Sequence, residues 1–145
     1  MHCRTEATIS RIENSLIYVS RKRIPAPSEE AAIADIVSVS QARNATLGVT
    51  GTLVSTRGYF AQILEGLPEA IEELMDSIRR DVRHDHVTVL RVGAIARRSF
   101  PDWSMAYSGA SNYLTRHIAP LLAADIGEDD SRIDRLIGFM SGLTK

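Results

Sequence analysis

Cysteine is almost missing from this chain of 145 residues: Cys3 is the only one, set in a polar N-terminal segment. A lone thiol excludes an internal disulfide framework and suits a reducing, cytoplasmic setting. Long apolar runs are missing too. None approaches the ~20 residues of a membrane span, and Met1–Asn14 lacks the apolar centre of a signal peptide, so neither membrane nor secretion is expected. Nor does one sign of charge dominate. Seventeen Lys and Arg stand against 18 Asp and Glu, net −1, which argues against nucleic acid or an anionic membrane as main partner. The pairs Arg79-Arg80 and Arg97-Arg98 therefore read as solvated faces. His84 and His86, flanking Asp85, form an incomplete metal set. No serine or cysteine has a convincing histidine partner, so a hydrolase finds no support. What is present, 44% hydrophobic and 24% charged residues, describes one globular domain able to bury a core without disulfides or metal.

Along the chain, Ser15–Ser20 is short, β-branched and aromatic, a first strand. Arg21–Pro27 is a basic loop, after which Ser28 offers an N-cap hydroxyl and Glu29 and Glu30 sit in the first turn of a helix. Ile33, Ile36, Val37 and Ser40 recur at helical spacing as one buried stripe, and the helix is expected to end near Asn44. Val49–Ser55 and Tyr59–Glu65 form a hairpin with Gly58 in its turn. Pro68 starts a second helix reaching about Arg80, with Ile71, Leu74, Met75 and Ile78 on one face. Val87–Ala96 and Met105–Ser108 supply two more strands. The order β-α-β-β-α-β predicts an α+β, ferredoxin-like fold with an additional strand. Two C-terminal helices, Ala110–Ala124 and Asp130–Leu143, complete the chain, and in the second Ile133, Leu136, Ile137 and Met140 share a stripe. The predicted organisation is a loose leader over residues 1–14, a central domain over 15–108 and a helical extension over 109–145, packed on the sheet or at an interface.

Several polar residues fall on faces that should be core. A ferredoxin-like sheet sets its first and third strands side by side with both helices over one face. Phe60, Gln62 and Leu64 share one side of the third strand because side chains alternate, so Gln62 points a carboxamide inward. Tyr18 shares its side with Leu16 and Ser20, while Ile17 and Val19 point the other way; both sides suit a core, and the strand's pattern leaves the choice open. Asn44 lies close to three helical turns beyond Ile33 and returns to the buried stripe, with Ser40 one turn earlier. Buried amides and phenols need partners or cost roughly 1–3 kcal/mol each. Tyr18, Asn44 and Gln62 could satisfy one another, but three polar groups converging on one space point to a planar polar ligand such as a flavin ring.

The chain also resembles the blue-light-using-flavin (BLUF) domains. The matching stretches are Leu16-Ile-Tyr-Val-Ser20, Ser40-Gln-Ala-Arg-Asn44, Gly48-Val-Thr-Gly51, Gln62-Ile-Leu-Glu-Gly66, Arg79-Arg-Asp-Val-Arg-His84 and Ile95-Ala-Arg-Arg-Ser-Phe-Pro-Asp-Trp-Ser-Met105, in the family's order and spacing over roughly Ser15–Ser108. The resemblance implies a ferredoxin-like fold with a non-covalent flavin, FAD with FMN or riboflavin as alternatives, between the two helices. It implies Tyr18 as electron and proton donor, facing the helices, and Gln62 as the amide that re-forms its hydrogen bonds and shifts the spectrum to the red. Asn44 would hold the pyrimidine edge, with Ser40, Phe60, Leu64 and Ile78 as further wall. Arg83 and His84, at the end of the second helix, would contact the ribityl or phosphate portion, and Trp103 and Met105 would relay the signal. Val19 departs from the arginine common at its position, a change expected to touch surface coupling, and Arg43 departs from the histidine or other aromatic of some members.

These readings predict a photoreceptor with no enzymatic step of its own. Because no catalytic or DNA-binding domain follows Ser108, the signal is expected to pass in trans to a partner protein, with a homo-oligomer the expected state. A ferredoxin-like ligand-binding module without photochemistry is the alternative, separated by an absorption spectrum before and after blue illumination.

Overall fold

The computed structural model describes residues 11–122 and 126–144. Cys3 and most of the expected leader lie outside them. Strand β1 spans Glu13–Lys22, starting two residues before the predicted Ser15 and absorbing Asn14. Helix α1 spans Glu29–Leu47 and ends on Gly48 in the left-handed conformation. Strands β2 (Thr50–Thr56) and β3 (Tyr59–Gly66) form the hairpin, and α2 runs Pro68–Arg80 as expected. Strands β4 (His84–Ile95) and β5 (Trp103–Ser108) both start earlier than predicted. Helix α3 covers Asn112–Ile118, and α4 covers Ser131–Leu143.

The sheet order is β4-β1-β3-β2-β5, the ferredoxin-like arrangement with β5 added in parallel beside β2. The remaining neighbours are antiparallel. Alternation along β1 and β3 splits the core into two layers. Leu16, Tyr18, Phe60 and Leu64 pack with Ile33 of α1 and with Ile71, Leu74 and Met75 of α2 on one face. On the other, Ile17, Val19, Ala61 and Ile63 pack with Leu114 and Ile118 of α3 and with Ile133, Leu136 and Met140 of α4. The C-terminal helices thus lie over the face that α1 and α2 leave open. No helix among the described residues is long and apolar enough to cross a membrane.

Several local expectations are corrected. Ser28 does not cap α1 with its hydroxyl: a 3-10 turn over Ala26–Ser28 already gives it helical dihedrals, and those do not present the side chain to the next N–H groups. The stripe Ile36, Val37 and Ser40 is only half-buried, with Ile33 and Asn44 alone fully so. The predicted helix Ala110–Ala124 turns to 3-10 geometry at Ala119, because Pro120 has no N–H to continue the α ladder; residues 123–124 lie outside the described set. Val19, whose departure from arginine was expected to touch surface coupling, is fully buried beneath the C-terminal helices. Arg98 is not simply solvated: half-buried, it binds Glu13 and donates to Thr50 Oγ1 at 3.2 Å.

Candidate functional site

The antiparallel register places Tyr18 directly opposite Gln62, and Gln62 in turn opposite Leu53 of β2. Leu53 is opposite Met105 of β5, so one row across the sheet reads Tyr18, Gln62, Leu53, Met105. All four belong to the layer beneath α1 and α2. Packing puts Tyr18 on the helix side, which the strand's own pattern left open and the resemblance implied.

Tyr18 and Gln62 are 3% and 5% exposed. Gln62 Nε2 donates to Tyr18 Oη at 2.6 Å, and Trp103 Nε1 donates to Gln62 Oε1 at 2.8 Å. An indole N–H can only donate, so Trp103 forces the amide oxygen toward itself and the amide nitrogen toward the phenol. Trp103, on β5, lies two strands from Gln62 and opposite Gly51 of β2. Gln62 already occupies the Tyr18 oxygen as donor, and among the described residues the phenolic hydrogen has no protein acceptor. Burial pushes the phenol well above its ordinary pKa, the Gln62 hydrogen bond opposes this, and the charge of Asp81 adds to the rise.

A cavity of about 300 Å³ opens in front of this pair, between α1 and α2 and over the sheet. Tyr18, Ser40, Asn44, Phe60, Gln62, Leu64, Ile78, Arg83 and His84, every side chain expected to hold the cofactor, line it. Trp103 stands behind Gln62 rather than in the lining, and Met105 is separated from Gln62 by Leu53. Asn44 is 2% exposed, yet among the described residues its carboxamide has no hydrogen-bond partner. An amide that opens onto a cavity walled by Phe60, Leu64, Leu53 and Ile78, with no hydrogen bond to the described residues, fits a flat ring with polar edges and apolar faces.

At the far end of the site, Arg83 and His84 follow the end of α2 as expected: the helix stops at Arg80, Asp81 is extended, and His84 opens β4. His84 is held from both ring nitrogens, with Nδ1 2.7 Å from Ser20 Oγ and Nε2 2.6 Å from the Ile78 carbonyl. A carbonyl only accepts, so Nε2 carries a hydrogen. The ring stands edge-on to Tyr18 and Phe60. His86, by contrast, is exposed and pairs with Asp85, so the two histidines do not converge. The Arg83 guanidinium is occupied by Asp81 at 2.8 Å and Asp35 at 3.0 Å, and that bond to Arg83 holds the Asp81 carboxyl below its usual range. Arg43 and Arg80 also line the cavity and have no carboxylate partner among the described residues. From sequence, Arg43 reads only as a departure from the family's aromatic and Arg80 only as part of a solvated pair, since an exposed arginine on a helix has no signature until the two helices are set side by side.

A family model described as BLUF, sensors of blue-light using FAD, matches residues 14–106. The alpha subunit of a photoactivated adenylate cyclase from Euglena gracilis is 33% identical over 104 residues, which is 72% of this chain and 10% of that protein. The chain thus spans about a tenth of the length of that relative. Among solved structures, BlrB, a BLUF protein in its dark state, superposes with a TM-score of 0.67 at 34% identity, over 89% of this chain and 97% of that one. The photo-activated state of BlsA superposes with a TM-score of 0.73 over 89% and 94%; at 23% identity it speaks for the fold alone.

Proposed function

The chain belongs to the BLUF family, the sensors of blue light that use FAD, and from that membership we propose that Tyr18 and Gln62 carry its photochemistry on a flavin held between α1 and α2. The observation that carries this reading is the chain of hydrogen bonds from Trp103 through Gln62 to Tyr18, facing a cavity with an unpartnered Asn44. A bound flavin supplies absorption of blue light and, once excited, an acceptor for one electron and one proton. Tyr18 is the donor. Its phenol is kept neutral by burial, and its hydrogen is not engaged by Gln62. Gln62 retains the change after Tyr18 recovers its electron and proton. If the amide rotates, Oε1 accepts from the phenol and Nε2 meets the Trp103 N–H, donor against donor, a mismatch of roughly 1–3 kcal/mol. Trp103 then has to leave its position unless the amide tautomerises instead. Asn44 holds the polar edge of the ring, and Ser40, Phe60, Leu64 and Ile78 complete its walls.

FAD is the proposed cofactor. Arg43 and Arg80 are better placed for its phosphates than Arg83, where a phosphate would meet the two carboxylates already engaged. Arg83 and His84 line the ribityl side. We assign no enzymatic step to this chain, and the cyclase named in its relatives belongs to proteins it matches over a small fraction of their length. The output goes to a partner or effector, received on the α3 and α4 side of the sheet.

Absorption spectra of the purified protein before and after blue illumination test the reading. The wild type is expected to be yellow and to shift reversibly to the red. Tyr18→Phe and Gln62→Leu are expected to stay yellow and lose the shift. A normal shift in either variant overturns the residue assignment, and a colourless protein that refuses flavin overturns the function.

A further inference from the structure

Glu65 is a nearly complete burial of a carboxylate, 2% exposed, and nothing in the photochemistry uses it. Alternation along β3 points it away from the cavity, to the face covered by α3 and α4. There it grips a segment without regular structure, between β4 and β5. Its Oε1 accepts from the Ser99 N–H at 2.9 Å and the Phe100 N–H at 3.0 Å, and Oε2 lies 3.0 Å from the Ser99 nitrogen. Hydrogen bonds from N–H groups to an ionised carboxylate are roughly twice as strong as neutral ones. The gripped residues join the two faces of the sheet. Phe100 is buried in the layer with Leu114, Leu136 and Met140, whereas Trp103, three residues on, is buried in the opposite layer against Gln62. Between them Asp102 accepts from the Gly51 N–H at 3.1 Å, which ties the segment to β2.

We propose that Glu65 is a positioning residue of the light response: by pinning Ser99 and Phe100 it makes the segment before β5 a lever, so that displacement of Trp103 on the flavin face is delivered to the core beneath α3 and α4. The inference rests on the Tyr18 and Gln62 reading above. With Glu65 in place, a shift of Trp103 strains the carboxylate clamp and moves Phe100. Without it the segment yields, and Trp103 moves with no effect on the other face.

Amide hydrogen exchange resolved by residue, on the flavin-loaded full chain in the dark and under blue light, tests this without any substitution. The Ser99 and Phe100 amides are expected to be protected in the dark and to exchange about tenfold faster in the light, the change that loss of one hydrogen bond of ordinary net strength produces. Amides of Ile133–Met140 are expected to change with them. In Glu65→Gln, which keeps the side chain's shape, the flavin red shift is expected to persist in full while the light-induced change over Ile133–Met140 disappears. Trp103 is the only tryptophan in the chain, and its dark emission in that variant is expected to move toward that of the illuminated wild type. Equal exchange at Ser99 and Phe100 in dark and light, in a sample whose flavin does shift, overturns the role of Glu65 and leaves the photochemistry standing. So does a Glu65→Gln protein that still transmits to Ile133–Met140. If that variant does not fold, the wild-type exchange decides alone, and a wild type with no red shift takes down both readings.

Discussion

At the scale of the residue, Tyr18 is chemically defined by what surrounds it. Its neighbours withhold water, offer one donor hydrogen bond from Gln62 and set the negative Asp81 near by. The charged phenolate is therefore disfavoured, and the folded-state pKa lies above the unfolded value near 10. Its share of stability is fully present below pH 10 and is lost as the pH rises toward the folded-state value. Urea unfolding midpoints measured across the alkaline range should fall for the wild type and fall less steeply for Tyr18→Phe; identical slopes would contradict the buried neutral phenol. Gln62 differs in that the strand's period alone turned it inward. What its sequence context did not contain is the orientation of the amide, because that depends on a donor brought from two strands away, Trp103.

At the scale of the element, two glycines have different duties. Gly48 ends α1 at φ +69 with open space around it. A Cβ on Gly51, at φ +151, would run into the Ile63 carbonyl oxygen and could be accommodated only by moving β2 away from β3. Because Trp103 sits opposite Gly51, that movement also disturbs its bond to Gln62. Gly48→Ala is expected to cost about 1–2 kcal/mol, the left-handed penalty for an L-residue, and to leave the light response intact. Gly51→Ala is expected to cost at least the ~1–3 kcal/mol of an overpacked core and to alter the emission of Trp103; denaturant titration and fluorescence of the two variants provide the comparison. Helix α1 explains why a sequence stripe can mislead. Ile36 and Ser40 repeat at the spacing of a buried face, but the face lines a cavity, so they are half-buried and only Ile33 and Asn44 are sequestered.

At the scale of the whole molecule, the sheet serves two layers that share no side chains, and β1 and β3 feed both. Leu136 and Met140 of α4 are fully enclosed against Val19, Ala61 and Ile63, so the C-terminal helices are part of the core rather than an appendage. Leu136→Ala is expected to destabilise the protein by about 2–5 kcal/mol, measured by urea unfolding, while leaving flavin colour and red shift unchanged in the folded fraction. A loss of flavin binding at full stability would mean that the two layers are not separable.

Read alone, the sequence determined the order of the elements, the inward face of β3, the return of Asn44 to the cavity side of α1 and the apolar stripe of α4. Each of these follows from a local period, 2.0 for strands and 3.6 for helices, that side-chain chemistry records directly. The tertiary structure alone decided the hydrogen bond from Trp103, the occupation of Arg83 by Asp35 and Asp81, and the grip of Glu65 on Ser99 and Phe100. These depend on strand register and on which helix lies over which face, contacts between residues far apart in the chain that no local period encodes.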